Sequence, residues 1–361
     1  MIYFDNAAAA QPDQETADFM AECLLSDYAN QEAGHAAGFE LRQKIAAAEK
    51  KLSLAVTGSP DWAAVWDNSG TGTFNTLIHG LDLRTPGIVS SKLEHPALSA
   101  ALARLPGAEM TFFPPDPSTG RLIPHEGKWQ LAAFHLIQSE LGVLQDTGKL
   151  FSAAPGAIRF LDAVQGACKI PLDQNCADII AVSGNKLGAP GGAALLINPA
   201  WQGRDAFLDR CAKARQQHYL SGRVIPAQIF TMAFAAEKAA ARRDERLTQL
   251  KKISSMLRRG CMELGLIPTI PEEYAFPGIL HVLCPGKQGG VLVRMLSAEG
   301  IAVSSGSACA SESPDPSPAL TAMKMNRNKA FSGLRFSPGE QISENDVLFL
   351  LSSLKKVLKN Y

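Results

Sequence analysis

Short apolar runs alternate with stretches of helical character between residues 62 and 198 of the chain. The runs at 63–66, 87–91, 110–113, 131–137, 157–161, 179–183 and 193–197 have the length and composition of buried strands. Strands at this spacing, separated by helical stretches, predict βαβ units. The sequence therefore predicts an α/β fold with a largely parallel sheet.

The pattern changes after this region. Residues 226–265 form one long predicted helical stretch, whose charges of both signs indicate a solvated face. Further elements are predicted at 278–283 (strand), 290–299 (helix), 301–303 (strand) and 333–336 (strand). Ser343-Glu344-Asn345-Asp346 resembles a capping box that opens a helix ending near Lys359. The predicted layout is a large sheet domain, a long connecting helix and a smaller C-terminal α/β domain.

Composition agrees with this layout and excludes several classes of protein. A chain of 361 residues exceeds one comfortable core, and a formal net charge of zero gives no reason to expect nucleic acid or an anionic membrane as partner. We expect neither a signal peptide nor a membrane helix, because no basic region precedes an apolar stretch and no apolar run approaches ~20 residues. The seven scattered cysteines favour free thiols in a reducing cytoplasm over a disulfide framework or a metal site.

Two strand ends carry the residues that suggest a chemistry. Lys186 follows the apolar run 177–182 and precedes a glycine-rich turn, and Asp162 ends the run before it. Open α/β folds bind ligands at the carboxyl ends of their strands. A lysine that forms a Schiff base and an aspartate that keeps a pyridine nitrogen protonated are what a pyridoxal phosphate (PLP) enzyme needs. A lone lysine in a loop is more often a solvated charge, so this prediction depends on other residues.

The segment Asn68-Ser69-Gly70-Thr71-Gly72-Thr73 follows a predicted strand and opens a predicted helix. Small residues, hydroxyls and helix N-terminal amides suit a phosphate group. The segment lacks the lysine of a P-loop and the third glycine of a dinucleotide fingerprint. Taken alone, it is about equally typical of an ordinary helix cap.

Three more residues have both a chemical and a structural interpretation. Cys309 lies among small residues before a loop, where a nucleophilic thiolate would have access, although most free cysteines pack as small hydrophobic groups. Arg335 is flanked by apolar residues and is expected to have a carboxylate partner, either structural or from a substrate. His95 is predicted either to stack on a flat cofactor or to cap a helix.

The chain resembles the cysteine desulfurases of the class V branch of fold-type I PLP enzymes. The resemblance rests, in family order, on Tyr3-Phe4-Asp5-Asn6-Ala7-Ala8, Asn68-Ser69-Gly70-Thr71, Glu94-His95-Pro96, Asp162-Ala163-Val164-Gln165, Ser183-Gly184-Asn185-Lys186, Ser304-Ser305-Gly306-Ser307-Ala308-Cys309 and Leu334-Arg335-Phe336-Ser337. It implies a large PLP-binding domain with a mostly parallel seven-stranded sheet over residues 16–245. Residues 1–15 with 246–361 would form the small domain, and the protein would be a homodimer.

The resemblance also implies roles for individual residues. Lys186 would hold PLP and move the Cα proton, Asp162 would pair with the pyridine nitrogen, and Gln165 would lie near the ring hydroxyl. His95 would stack on the ring, and the phosphate would be bound by Thr71, Gly72 and Ser183. Arg335 would bind the substrate carboxylate, and Cys309 would accept the sulfur. Lys186, His95 and Cys309 are thus the predicted catalytic residues.

Three positions depart from the family pattern. Asn185 stands where the family usually has a histidine; it can hydrogen-bond phosphate but carries no charge. Ser139 replaces an asparagine that reaches the cofactor hydroxyl and the substrate carboxylate. In the segment that ends at Arg223, the usual Arg and Thr are missing, and Arg223 is expected to contact the phosphate of the neighbouring subunit instead.

The implied reaction converts L-cysteine to L-alanine and leaves a persulfide on Cys309. The long loop after Cys309 resembles the branch that serves iron–sulfur cluster assembly, which implies a sulfur-acceptor protein as partner. Alternatives are another class V enzyme (an aminotransferase, a selenocysteine lyase or a β-lyase) or an inactive relative that acts as a scaffold. A nicotinamide enzyme is disfavoured because no G-x-G-x-x-G opens the sheet.

Overall fold

The computed structural model describes residues 1–83, 87–173, 175–220, 222–306 and 316–361. The strands are β1 (Ile2–Tyr3), β2 (Ala63–Asp67), β3 (Gly87–Ser91), β4 (Glu109–Phe113), β5 (Leu131–His135), β6 (Ile158–Asp162), β7 (Ile179–Ser183), β8 (Ala193–Ile197), β9 (Ile267–Pro268), β10 (Leu280–Leu283), β11 (Ile301–Ala302) and β12 (Gly333–Phe336).

The helices alternate with these strands along the chain. They are α1 (Gln14–Ser26), α2 (Ala36–Thr57), α3 (Gly70–Gly80), α4 (Pro96–Leu102), α5 (Thr147–Ser152), α6 (Arg204–Gln216), α7 (Pro226–Ala241), α8 (Arg243–Glu263), α9 (Gly289–Ala298), α10 (Pro318–Ala322), α11 (Arg327–Phe331) and α12 (Glu344–Asn360). Short 3-10 turns form at Gly184–Lys186 and Glu272–Tyr274. No described helix is both long and apolar enough to cross a bilayer.

The seven predicted strands between residues 62 and 198 form one sheet in the order β2-β8-β7-β6-β5-β3-β4. Strand β8 runs antiparallel to both of its neighbours, and the other pairings are parallel. Every residue of β5, β7 and β8 is buried, as expected for strands covered on both faces by helices. The mostly parallel seven-stranded sheet is therefore as predicted.

A second core forms from the two ends of the chain. Strands β12, β10 and β9 make an antiparallel sheet, and β1 pairs with β11 in parallel. Phe4, Leu257, Leu292, Phe336 and Leu350 belong to one buried cluster there. This cluster agrees with a small domain built from both termini, while the proposed boundaries at 15/16 and 245/246 stay a prediction.

The single long helix expected over residues 226–265 is instead two helices, α7 and α8. The break lies at Arg242, whose backbone leaves the helical region (φ −105°, ψ 11°), without a proline or glycine to cause it. Helix α7 packs on α1 and α2, whereas α8 contacts α12, β9 and β10. Leu247 and Leu250 near the start of α8 still pack on the first core, whereas Ile253 and Leu257 belong to the second. Helical periodicity alone does not reveal this change of partner.

The C-terminal helix begins where the sequence predicts. The Ser343 side chain accepts a hydrogen bond from the Asp346 N–H, and the Asp346 carboxylate accepts one from the Ser343 N–H (2.8 Å), which completes the capping box. Helix α12 then runs to Asn360 and covers the second core.

Candidate active site

A cavity of about 290 Å³ lies where the carboxyl ends of β5, β6 and β7 meet the N-terminus of α3. Most of the residues predicted as cofactor or substrate ligands line it, namely Thr71, His95, Ser139, Asp162, Gln165, Ser183, Asn185, Lys186 and Arg335. These residues are up to 264 positions apart in the chain (335 − 71), and parallel strand ends bring them to one edge of the sheet.

Lys186 lies in the 3-10 turn that directly follows β7. Its ammonium donates a hydrogen bond to the carbonyl oxygen of Ala8 in the N-terminal segment. The backbone of this 3-10 turn packs closely on the segment that follows it. A Cβ added to Gly184 would come within 2.2 Å of the Gly191 carbonyl oxygen, so only glycine fits there. The close packing fixes Lys186 at the cavity wall.

Asp162 ends β6 and is 7% exposed. Its Oδ1 accepts a hydrogen bond from the Val164 N–H (3.0 Å). Burial raises the pKa of Asp162 to about 6; the Val164 N–H opposes this effect and the Glu94 carboxylate adds to it. A cationic ligand atom at this carboxylate would stabilise its ionised form, which is the interaction that a pyridinium nitrogen provides.

The N-terminus of α3 forms the end of the cavity that suits an anion. Ser69 caps the helix by accepting a hydrogen bond from the Gly72 N–H (3.1 Å). Thr71, Ser183 and Asn185 line the surrounding wall. Gly72 does not line the cavity, and its N–H is used by the Ser69 cap, so its predicted contact with phosphate stays a prediction.

His95 caps a helix, one of the two roles that the sequence left open, and its stacking on a cofactor stays a prediction. Its Nδ1 accepts a hydrogen bond from the Ala97 N–H (3.2 Å) at the start of α4, and its ring also lines the cavity. Burial and the nearby Lys186 cation lower the pKa of His95, although the Glu94 carboxylate opposes them. A neutral imidazole with its proton on Nε2 is therefore available to stack on a ligand.

Arg335 is 1% exposed and already has a carboxylate partner. Its guanidinium forms an ion pair with Asp5 (Nη2 to Oδ1, 2.7 Å) and donates to the Ser139 carbonyl oxygen (2.7 Å). Its Nε is buried and has no hydrogen-bond partner among the described residues. Arg335 thus has a structural carboxylate partner, and its role as a substrate clamp stays a prediction.

Two predicted residues lie elsewhere. Arg223 is exposed, lies outside the cavity of its own chain, and donates a hydrogen bond to the Ala29 carbonyl oxygen (3.2 Å). Cys309 lies outside the described residues. The described part of the chain that precedes Cys309 ends at Gly306. Two residues earlier, the Ser304 carbonyl oxygen accepts a hydrogen bond from the Arg335 N–H (2.7 Å), and the Ser304 N–H donates one to the Arg335 carbonyl oxygen (3.2 Å).

Two buried polar residues of the cavity wall, His135 and Gln138, were not among the predicted site residues. His135 ends β5, is buried and lines the cavity beside Asp162, with which it is in register across β5 and β6. The strand was predicted to run to Ile137, so a strand-end criterion did not identify His135, and only the pairing of β5 with β6 brings it level with Asp162.

A larger cavity of about 620 Å³ adjoins the first and shares Ala7, Gln165 and Lys186 with it. Lys169 lines its wall; burial and the neighbouring Lys186 cation lower the pKa of Lys169 to about 8. This cavity includes neither Asp162 nor His95. The smaller cavity is therefore the candidate site, because the acid, the lysine and the helix N-terminus meet only there among the described residues.

The donor set of the smaller cavity fits PLP. An amine at Lys186 suits the aldehyde, a buried carboxylate at Asp162 suits the ring nitrogen, and the capped start of α3 suits the phosphate. The Gln165 amide, which donates to the Ala7 carbonyl oxygen (2.8 Å), lies in the same wall.

Comparison with known proteins shows the family of the chain. The family model for aminotransferase class-V matches residues 2–350. The cysteine desulfurase IscS of Anaeromyxobacter dehalogenans (strain 2CP-C) is 28% identical, covering 96% of this chain and 89% of that protein. The cysteine desulfurase of Azotobacter chroococcum mcd 1 is 25% identical with the same coverage of both chains.

Solved structures agree on the fold. A NifS-like protein has a TM-score of 0.84 at 22% identity and full coverage of both chains. The NifS-like protein from Rickettsia africae ESF-5 has a TM-score of 0.82 at 19% identity, with 99% of each chain covered. The predicted fold class, that of the fold-type I PLP-dependent transferases, is confirmed.

Proposed function

Because the chain belongs to the aminotransferase class-V family, we propose that it is a PLP-dependent cysteine desulfurase that converts L-cysteine to L-alanine and transfers the sulfur to Cys309 as a persulfide. The observation that carries this proposal is the convergence of Lys186, Asp162, His95 and Arg335 on one cavity. The similarity to proteins named cysteine desulfurase over nearly the whole chain supports the choice of substrate.

PLP, when bound, supplies an electron sink that makes the Cα proton of an amino acid removable. Lys186 would hold the cofactor through its amine and later serve as the base that moves this proton. Asp162 would hold the ring nitrogen in its protonated form, and the capped N-terminus of α3 would bind the phosphate. His95 would cover the face of the ring.

Arg335 would orient the substrate through its carboxylate. The guanidinium is fixed by Asp5 and by the Ser139 carbonyl oxygen, so its position is set before a substrate arrives. Its buried Nε is the donor that has no partner among the described residues. A substrate carboxylate would therefore share this guanidinium with Asp5.

Sulfur transfer needs a thiolate, and the described cysteines are poor candidates for it. Burial raises the pKa of Cys176 to about 11 and that of Cys168 to about 12. None of the six described cysteines lines the cavity. Cys309 is the candidate nucleophile: its sulfur would bond to the substrate sulfur while the substrate C–S bond breaks and the carbon gains a proton to give alanine.

The test is to load the purified protein with PLP, add L-cysteine and a thiol reductant, and quantify alanine and sulfide. We expect equal amounts of both products from the wild type and none above background from Lys186→Ala. The matched control is Lys213→Ala, because Lys213 is an exposed lysine that pairs with Asp209 one turn away on α6. A PLP-loaded wild type that makes neither product would contradict the substrate assignment and direct attention to transamination, selenocysteine cleavage and β-elimination.

We also propose a cytoplasmic homodimer that delivers sulfur to an acceptor protein, such as a scaffold for iron–sulfur clusters. In the dimer, Arg223 would contact the phosphate bound by the neighbouring subunit, since it is exposed and lies apart from the cavity of its own chain. Arg223→Ala is then expected to weaken PLP binding about tenfold, as for a lost charge-assisted hydrogen bond. Arg294→Ala, at an exposed arginine on α9, is the control, and unchanged PLP affinity in Arg223→Ala would rule out this contact.

A further inference from the structure

A buried histidine–glutamate pair lies in the wall of the candidate cavity. His135, at the end of β5, and Glu94, just after β3, are 3% and 6% exposed. The His135 Nδ1 is 2.8 Å from the Glu94 Oε1, which also accepts a hydrogen bond from the Ser91 hydroxyl (2.6 Å). Burying an acid and an imidazole costs free energy unless their polar atoms are paired, so each of those atoms needs a partner.

Two buried atoms of the pair, the Glu94 Oε2 and the His135 Nε2, have no hydrogen-bond partner among the described residues. A carboxylate only accepts hydrogen bonds, so the proton between His135 and Glu94 lies on Nδ1. The other nitrogen, Nε2, is fully buried and has no hydrogen-bond partner among the described residues. An unpaired buried polar atom destabilises the folded protein, and His135 lines a cavity that fits a polar ligand.

The position of His135 indicates which part of a ligand it would meet. His135 and Asp162 are directly paired residues of neighbouring parallel strands, so their side chains leave the same face of the sheet about 4.8 Å apart. The other titratable groups around His135 are Glu94 and His95 from the segment after β3, and Lys186 from the turn after β7. His135 is thus next to the carboxylate that would hold the ring nitrogen of PLP.

We propose that His135 is a further cofactor-contacting residue, whose unprotonated Nε2 accepts a hydrogen bond from the edge of the PLP ring that carries the nitrogen and the hydroxyl. Glu94 is its positioning residue, since its carboxylate fixes the orientation of the imidazole through Nδ1. This inference rests on the proposed PLP site and adds to it. The bound cofactor supplies the partner that Nε2 lacks, so the pair contributes to cofactor affinity more than to the stability of the cofactor-free protein.

The experiment compares His135→Met, His135→Gln and Glu94→Gln with the wild type. Cofactor-free proteins are titrated with PLP to obtain the dissociation constant, and the visible absorption of the loaded proteins is followed against pH. We expect His135→Met to weaken PLP binding about tenfold and to move the pH midpoint of the absorption by about one unit. His135→Gln keeps a polar atom and should recover part of the affinity, and Glu94→Gln should shift the midpoint while keeping the Nδ1 hydrogen bond.

His281→Met is the matched control. His281 is equally buried (1% exposed) and is hydrogen-bonded to Thr269 (2.7 Å), but it does not line the cavity. We expect this variant to lower the melting temperature of the cofactor-free protein without changing PLP affinity or the absorption midpoint. A merely structural His135 would behave like His281.

The outcomes separate this inference from the proposed function. If the wild type itself gives no visible band with PLP, the cofactor proposal fails. If the wild type binds PLP but His135→Met and Glu94→Gln both keep its dissociation constant and its absorption midpoint, only the role of His135 is contradicted. Because Glu94→Gln preserves the hydrogen bond to Nδ1, it remains informative even if His135→Met does not fold.

Discussion

Burial changes the protonation of single residues in the candidate site. Asp162 is a buried acid whose pKa burial raises to about 6, although its proposed function requires a carboxylate. Lys186, at the same cavity, and a bound pyridinium both supply positive charge that favours the ionised form. The site is thus less stable when empty than when it holds a cationic ring, which is a common property of binding sites built before the ligand arrives.

The raised pKa of Asp162 predicts a pH dependence of stability in the cofactor-free protein. The folded state binds its proton more tightly than the unfolded chain, so stability from this group is present below about pH 4 and is lost as pH rises through about 6. A pKa difference of one corresponds to about 1.4 kcal/mol, so the loss reaches about 3 kcal/mol. Urea unfolding of wild type and Asp162→Asn from pH 4.5 to 7.5 measures it.

Asp162→Asn should lose less stability over this range than the wild type, and it should bind PLP more weakly at neutral pH. Asp178→Asn is the control, because Asp178 is a buried acid paired with Arg159 (2.7 Å) outside the cavity. Parallel stability curves for wild type and Asp162→Asn would contradict the account of this carboxyl.

At the scale of elements, the carboxyl ends of β5, β6 and β7 and the N-terminus of α3 form the site. The sequence predicted these positions well, because short apolar runs identify buried strands and the residue after a run is at a sheet edge. The sequence could not predict the break at Arg242 between α7 and α8, because the helical pattern continues through it. The two helices differ in the elements that they contact, which the sequence pattern does not show. The sequence also missed His135, because strand register decides which residue faces Asp162.

Two glycines at the start of α3 differ in how much space surrounds them, so substitution of one serves as the control for the other. A Cβ at Gly72 would lie 1.8 Å from the Asp67 Oδ1, and the Asp67 carboxylate is held by the Thr76 hydroxyl (2.9 Å). A Cβ at Gly70, two residues earlier, would meet nothing closer than 4.0 Å. Gly72→Ala should therefore destabilise the protein by about 2 kcal/mol and weaken PLP binding, whereas Gly70→Ala should change stability by less than about 0.5 kcal/mol.

Thermal unfolding of the two variants and PLP titration provide the comparison. Equal stability of Gly72→Ala and Gly70→Ala would show that the α3 turn tolerates a side chain and does not fix the anion end of the cavity.

For the whole molecule, the site joins the two cores. Asp162 ends β6 of the seven-stranded sheet and Lys186 lies in the turn after β7, whereas Arg335 comes from β12 of the second core and is paired with Asp5 near the N-terminus. The sequence predicted that Arg335 has a carboxylate partner, but not that a residue 330 positions away provides it. Such a contact depends on how the termini meet, which no local pattern encodes.

The segment with Cys309 follows directly on this junction. Ser304 and Gly306 come just before it, and Ser304 is bonded to the Arg335 strand. The described part of the chain before Cys309 thus ends next to the strand that carries Arg335, the residue proposed to bind the substrate carboxylate. Our central proposal is that sulfur from L-cysteine goes first to Cys309.

The most direct measurement is the mass of cysteine-containing peptides after PLP-loaded protein meets L-cysteine without reductant. The account predicts one added sulfur atom on the Cys309 peptide, none on the peptide of Cys176, which is the one described cysteine that is not buried, and none on any peptide of Lys186→Ala. Alanine formation by the wild type without any added sulfur on Cys309 would contradict it.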